Sequence, residues 1–158
     1  MKIFVGILAM LALGVLACQP GRPRFPSEKD AIVLAAEPEM GKPLPFHAKP
    51  HFLTTVTSSH MVDAYYIRVD KILYTVGVER DGSVSLLTTS DPLFRTPEGL
   101  HAGSTVDDVR AAGATGFEYE NGFGCSAKLP SGWNAGSEFV GEPLICKPQI
   151  VFFFKRHY

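Results

Sequence analysis

The chain has 158 residues, 46% of them apolar, and its 11 Phe residues add large side chains for a core. That length supports one hydrophobic core. The apolar content excludes a disordered polymer, because burying so much apolar surface offsets the entropy lost on ordering the chain. Lys and Arg total 15 against 16 Asp and Glu, and no run of like charge is longer than the pair Lys155 and Arg156. The basic face expected of a nucleic-acid-binding protein is therefore not predicted.

The first 17 residues have the order of a secretory signal peptide. Lys2 supplies a positive start, residues 3–16 are apolar or small, and Ala17 precedes Cys18. That order is typical of a cleaved leader. Because the apolar run has 14 residues, it is shorter than the roughly 20 that a membrane-spanning helix needs. We therefore predict that residues 1–17 are removed.

Val15-Leu16-Ala17-Cys18 resembles the lipobox of bacterial lipoproteins. The resemblance implies that Cys18 carries a palmitate-type lipid anchor. Gln19, rather than Asp, follows the Cys, which implies the periplasmic face of the outer membrane in a Gram-negative cell and the cell surface otherwise. An ordinary secretory signal cut near Ala17, leaving a free thiol, is the alternative.

Residues 18–30 are predicted to form the lipidated Cys and an extended tether. Pro20, Pro23 and Pro26 favour extended backbone. At ~3.1 Å per residue, the 12 residues after the Cys reach roughly 35 Å. Residues 31–158 remain as a single β-rich domain.

The other two cysteines, Cys125 and Cys146, are predicted to form a disulfide. An exported chain reaches a compartment where disulfides persist. A redox pair has Cys-x-x-Cys spacing, and a structural zinc site needs four closely grouped ligands; neither pattern is present. A bridge closing about 20 residues stabilises a domain by roughly 3 kcal/mol.

The first elements of the domain are short. Residues 31–36 fit either a capped helix following Ser27 or a buried strand, and both interpretations stay open. Residues 51–58 are predicted to form an edge strand. Residues 61–89 alternate apolar and polar side chains, which predicts a β-meander with a two-residue hairpin turn at Asp81-Gly82.

A change of period marks a helix. Residues 104–107 have the pattern of a capping box, and Gly113 is placed to end the helix. Asp107 and Asp108 fall in its first turn, where the helix dipole favours carboxylates; an acid/base pair is the weaker alternative.

The C-terminal part is predicted to be mostly strand. Residues 116–127 fit a hairpin around Asn121-Gly122, residues 129–141 a long loop carrying Trp133, and residues 150–154 a buried central strand. The predicted fold class is α+β, mainly antiparallel sheet, with one or two short helices and one disulfide.

Trp133 is the side chain most suggestive of function. A lone Trp in a Gly-rich loop is either a recognition anchor for a partner or a lid on the core. The Gly-x-Ser-x-Gly elbow of serine hydrolases and the Walker phosphate loop are both missing, and His47 and His51 lie among prolines. We therefore predict no catalytic residue, metal or cofactor.

Residues 98–113, Glu-Gly-Leu-His-Ala-Gly-Ser-Thr-Val-Asp-Asp-Val-Arg-Ala-Ala-Gly, contain a Gly-x-(Ser/Thr)-x-x-(Asp/Glu)-Val helix entry. This entry resembles that of small exported modules such as the β-lactamase-inhibitor-like proteins and the small lipoprotein of outer-membrane assembly. Here the long meander precedes the helix, unlike in those families. The resemblance implies that the chain acts by binding another protein and not by catalysis.

The leading hypothesis is a non-enzymatic envelope lipoprotein with a protein partner. One alternative is a periplasmic binder of a small apolar or lipid ligand, which would lie between the sheet and the helix. The other alternative is an uncharacterised hydrolase.

Overall fold

The computed structural model describes residues 27–57, 59–120, 124–141 and 145–157; Cys18 and most of the predicted tether lie outside them. Most of the described chain is strand. The regular elements are a 3-10 turn (Glu28–Asp30), β1 (Ile32–Leu34), β2 (Phe52–Thr57), β3 (His60–Val69), β4 (Ile72–Val78), β5 (Val84–Thr89), α1 (Val106–Ala111), β6 (Thr115–Glu120), β7 (Gly124–Lys128), β8 (Asn134–Val140) and β9 (Ile145–Arg156).

These strands form one sheet in the order β1-β3-β4-β5-β9-β8-β7-β6, with β2 also paired to β3. β3 is long enough to pair with β2 along its first half and with β1 along its second half. Only the β1–β3 pair is parallel among the described pairs. The predicted mainly antiparallel sheet with a short helix is therefore confirmed, while the parallel pair was not predicted.

The predicted meander is β3-β4-β5, but its turns differ from the prediction. Asp81-Gly82 does not form a two-residue turn; it lies within a longer connection, where the Glu79 N–H donates to the Ser83 carbonyl. The Asp81 side chain accepts hydrogen bonds from the Ser83 hydroxyl and N–H. This local pairing favours an Asx-type turn over a two-residue hairpin.

The two-residue turn occurs instead at Asp70-Lys71, between the paired residues Val69 and Ile72. Both turn residues have positive φ angles, 46° and 74°. A turn of this kind favours Asn-Gly, because a side chain with a Cβ is strained at positive φ. The sequence gives little signal for it, since Lys rarely occupies this conformation.

We expect the double substitution Asp70→Asn with Lys71→Gly to raise the free energy of unfolding by about 1 kcal/mol, because it relieves this strain. The Arg68 hydrogen bond to residue 71 is kept, since it ends on the backbone carbonyl. Urea denaturation measures the change. As a control, Gly82→Ala places a Cβ at φ 90° and should lower stability. A double variant less stable than the parent would refute the turn assignment.

The main core lies on one face of the sheet, under α1 and the loop that follows β5. Val109 from α1 is fully buried. Phe94, from that loop, lies at the centre of an aromatic group, with ring centroids 6.1 Å from Tyr74, 4.7 Å from Trp133 and 5.4 Å from Phe153. A smaller cluster contains Val56, Val62, Leu86 and Phe154. It lies on the opposite face of the sheet, because Leu86 and Phe154 are strand neighbours of the main-core residues Leu87 and Phe153.

Residues 134–140 were predicted as loop but form strand β8. The loop is only the turn 129–133, which is closed by the hydrogen bond from the Leu129 N–H to the Trp133 carbonyl. Packing explains the small residues in the strand. A Cβ at Gly136 would overlap the ring of Phe152. Ser137 is fully buried and donates to the Lys147 carbonyl.

Other predicted elements are confirmed with shifted ends. Helix and strand were both left open for residues 31–36, and the structure shows a strand there, β1. The predicted edge strand is β2, and the buried central strand is the longer, antiparallel β9. α1 begins one residue later than predicted, with Thr105 as N-cap and Asp108 completing the capping box. β6 and β7 form the predicted hairpin, whose Asn121-Gly122 turn lies outside the described residues.

Candidate functional site

The structure brings Cys125 and Cys146 together in the predicted disulfide, with Cα atoms 5.6 Å apart. Cys125 lies on β7 and Cys146 on β9, the two strands that flank β8. The bond therefore ties three neighbouring strands together. Cys125 is fully buried, which shields the bridge on that side.

Trp133 lies in the core rather than at the surface. Only 3% of it is exposed, its ring meets the edge of Phe94, and the Lys155 ammonium lies 4.3 Å from the ring centroid. This placement matches the interpretation of Trp133 as a lid on the core. A partner would reach the indole only if the core opened, so a contact surface has to be sought elsewhere.

The carboxylates considered as an acid/base pair serve α1. Asp107 forms an ion pair with Arg110 at 3.0 Å. Asp108 accepts hydrogen bonds from the Thr105 N–H and hydroxyl, and these bonds lower the pKa of Asp108. Each carboxylate thus has a partner within its own helix.

Tyr74 is a buried titratable residue whose pKa is shifted. Burial, and then its hydrogen bond to Glu37 at 2.7 Å, raise the pKa of Tyr74 well above its usual value. The Lys155 ammonium lies 4.0 Å from the same carboxylate. Since Glu37 follows β1, these contacts fasten the N-terminal segment to the core.

One end of the sheet carries an open groove of about 840 Å³, which we call the end groove. It lies between the β2–β3 hairpin and the β4–β5 connection. Leu53 and Met61, each 59% exposed, are its main apolar surface. Charged and polar side chains surround them: His60, Asp63, Glu79, Arg80 and Asp81.

The rim of the end groove is acidic. The His60 Nε2 lies 3.0 Å from both carboxylate oxygens of Glu79. Hydrogen bonds from the Ser83 hydroxyl, and then from its N–H, lower the pKa of Asp81, so this carboxylate stays charged at neutral pH. The apolar side chains of the groove and its acidic rim together complement a partner segment in which a basic residue lies next to apolar residues.

A second exposed apolar cluster, which we call the apolar tip, lies where β6, β8 and β9 extend beyond the core. The rings of Tyr119 and Phe139 meet edge to face with centroids 5.0 Å apart. Val140 and Ile145 pair across β8 and β9. The exposed fractions of the four side chains range from 42% to 60%.

No known protein family, curated protein or solved structure matches the chain. Within the described residues, no helix has the length and apolar character to cross a membrane. In the same part of the chain, no three His, Cys, Asp or Glu side chains are grouped to hold a metal ion. The two exposed surfaces and the N-terminal segment are therefore the features that bear on function.

Proposed function

We propose that this chain is a non-enzymatic lipoprotein of the bacterial outer membrane, anchored through Cys18, that binds a protein partner at the end groove. The lipobox-like sequence supports the anchor. The exposure of Leu53 and Met61 beside acidic side chains is the observation that supports partner binding.

The end groove has the composition of a contact surface. Large apolar side chains grouped within a polar rim are typical of protein interfaces. Met adapts its shape to a partner, because it is unbranched and polarizable. Leu53 and Met61 both lie on paired strands, so little backbone ordering is needed on binding. The acidic rim selects a partner segment with a Lys or Arg next to its apolar residues.

The experiment places the photocrosslinker p-benzoylphenylalanine at Met61 of the full chain in living cells. We expect one dominant crosslinked protein. The matched control is the same probe at Val33, which is 76% exposed but lies on β1, away from the groove. Identical products at both positions, or none at Met61, would contradict partner binding at this surface.

A substitution tests the same surface quantitatively. Leu53→Ser should weaken binding of the captured partner about tenfold, because an apolar anchor is lost from the interface. Val33→Ser should leave the affinity unchanged. Titration of the purified partner measures both variants, and equal losses would show that Leu53 has no special role.

A cavity of about 430 Å³ beside α1 supports a second candidate, the binding of a small apolar or lipid ligand. Val106, Phe117 and Pro148 form the apolar part of its lining, and the remaining lining residues are Thr105, Asp107, Arg110 and Cys146. Its volume is within the range of small-molecule sites. Gentle native mass spectrometry would show a bound lipid if this site is used, and Val106→Phe, which narrows the cavity, should weaken that signal.

A further inference from the structure

We infer that the apolar tip rests in the lipid interface of the same membrane that holds the Cys18 anchor, so that the end groove faces away from the lipid. The inference rests on the proposed anchor. It adds a second attachment point and an orientation to that proposal.

The chemistry of the tip suits a lipid interface. Tyr119 and Phe139 are aromatic, and aromatic side chains are enriched at the boundary between acyl chains and water. Val140 and Ile145 add aliphatic surface. The charged neighbours Glu138 and Lys147 form an ion pair with each other, which reduces the cost of bringing them near lipid.

The end groove lacks this chemistry. Its three carboxylates, Asp63, Glu79 and Asp81, outnumber the single guanidinium of Arg80, and a net negative surface is repelled by the anionic lipids of bacterial membranes. Of the two exposed apolar surfaces described, the tip is therefore the one that fits a bilayer.

The strands that carry the tip are also cross-linked. The disulfide joins β7 to β9, and the Ser137 hydroxyl donates to the Lys147 carbonyl across β8 and β9. A rigid apolar surface loses little conformational entropy when it inserts.

The length of chain before the described residues allows both attachments at once. Glu28 and Phe152 line the same cavity, so the described chain begins near Phe152. From there, β9 runs seven residues back to Ile145, or roughly 23 Å at 3.3 Å per residue. Cys18 lies nine residues before Ser27, and an extended segment of that length reaches roughly 28 Å. A lipid on Cys18 can therefore enter the bilayer that the tip touches.

The same strand sets the orientation of the groove. β9 runs from Ile145 at the tip to Arg156, which pairs with Leu86 near the start of β5. That end of β5 follows the β4–β5 connection, which borders the end groove. The length of β9 places the two surfaces roughly 35 Å apart. A tip in the membrane thus leaves the groove open to a periplasmic partner.

The test uses the full chain, matured in cells and reconstituted into vesicles of phosphatidylethanolamine and phosphatidylglycerol. One variant carries p-benzoylphenylalanine in place of Phe139 and another carries it in place of Leu53. Leu53 is more exposed than Phe139, 59% against 42%. Exposure alone would therefore favour lipid adducts at position 53, which is the opposite of the expected result. After illumination, intact-mass spectrometry should show phospholipid adducts roughly tenfold more abundant at position 139 than at 53. A third variant with the probe at Ile145 should behave like the one at 139.

Flotation of the same vesicles reports the anchor separately. Protein that floats but yields equal adducts at positions 139 and 53, or none at 139, overturns the tip contact and leaves the lipid anchor intact. Protein that does not float lacks the anchor, and the tip inference then fails together with the proposed function.

Discussion

Replacing Cys125 and Cys146 together by Ala is expected to lower the free energy of unfolding by about 3 kcal/mol. The bridge closes a segment of 21 residues, and losing it releases that much chain entropy in the unfolded state. Burial of Cys125 adds to the effect, because Ala leaves part of its volume empty. Urea denaturation followed by circular dichroism measures the loss.

Reduction provides the control for this prediction. Dithiothreitol should destabilise the parent by a similar amount and leave the double Ala variant unchanged. If both proteins respond equally, or if the double variant is as stable as the parent, the bridge contributes nothing to the fold.

Trp133→Ala is expected to cost about 3–5 kcal/mol of stability, because it removes a large buried side chain from the core. The indole is 3% exposed and touches Phe94. Trp133→Phe should cost clearly less, since it keeps an aromatic ring at the site. Thermal and urea unfolding measure both variants.

The same substitution separates the two interpretations of Trp133. A core residue affects stability, whereas a partner contact affects binding in a protein of unchanged stability. Val33→Ala, at a position 76% exposed, should change stability little and serves as the reference. A Trp133→Ala variant as stable as this reference would contradict the placement of the indole.

Much of the fold follows from local pattern. The meander and β9 were predictable because their apolar residues alternate or run together, and α1 because its cap and stop residues are near in sequence. The disulfide was predicted from the number of cysteines and from the predicted export rather than from geometry.

The errors arose where tertiary packing overrides local signals. Strand β8 contains Gly136 and Ser137, which favour loops in isolation, yet the Phe152 ring and a buried hydrogen bond require small residues there. The Asp70-Lys71 turn carries residues that rarely adopt positive φ. Trp133 belongs to the core because Phe94, 39 residues earlier, packs against it.

The two exposed surfaces were not predicted from the sequence. Leu53 and Met61 have the same alternation as buried strand residues, yet each is 59% exposed. Tyr119 and Phe139 come from strands that become near neighbours through β7. Whether an apolar strand residue is exposed depends on which other elements of the fold cover it. The local sequence pattern around the residue does not predict that covering.

We propose that lipid on Cys18 holds this domain at the membrane. Radiolabelled palmitate supplied to cells producing the parent or Cys18→Ala tests it most directly. We expect a labelled parent in the outer-membrane fraction and an unlabelled Cys18→Ala protein released into the soluble fraction. An unlabelled parent, or equal labelling of both proteins, would contradict it.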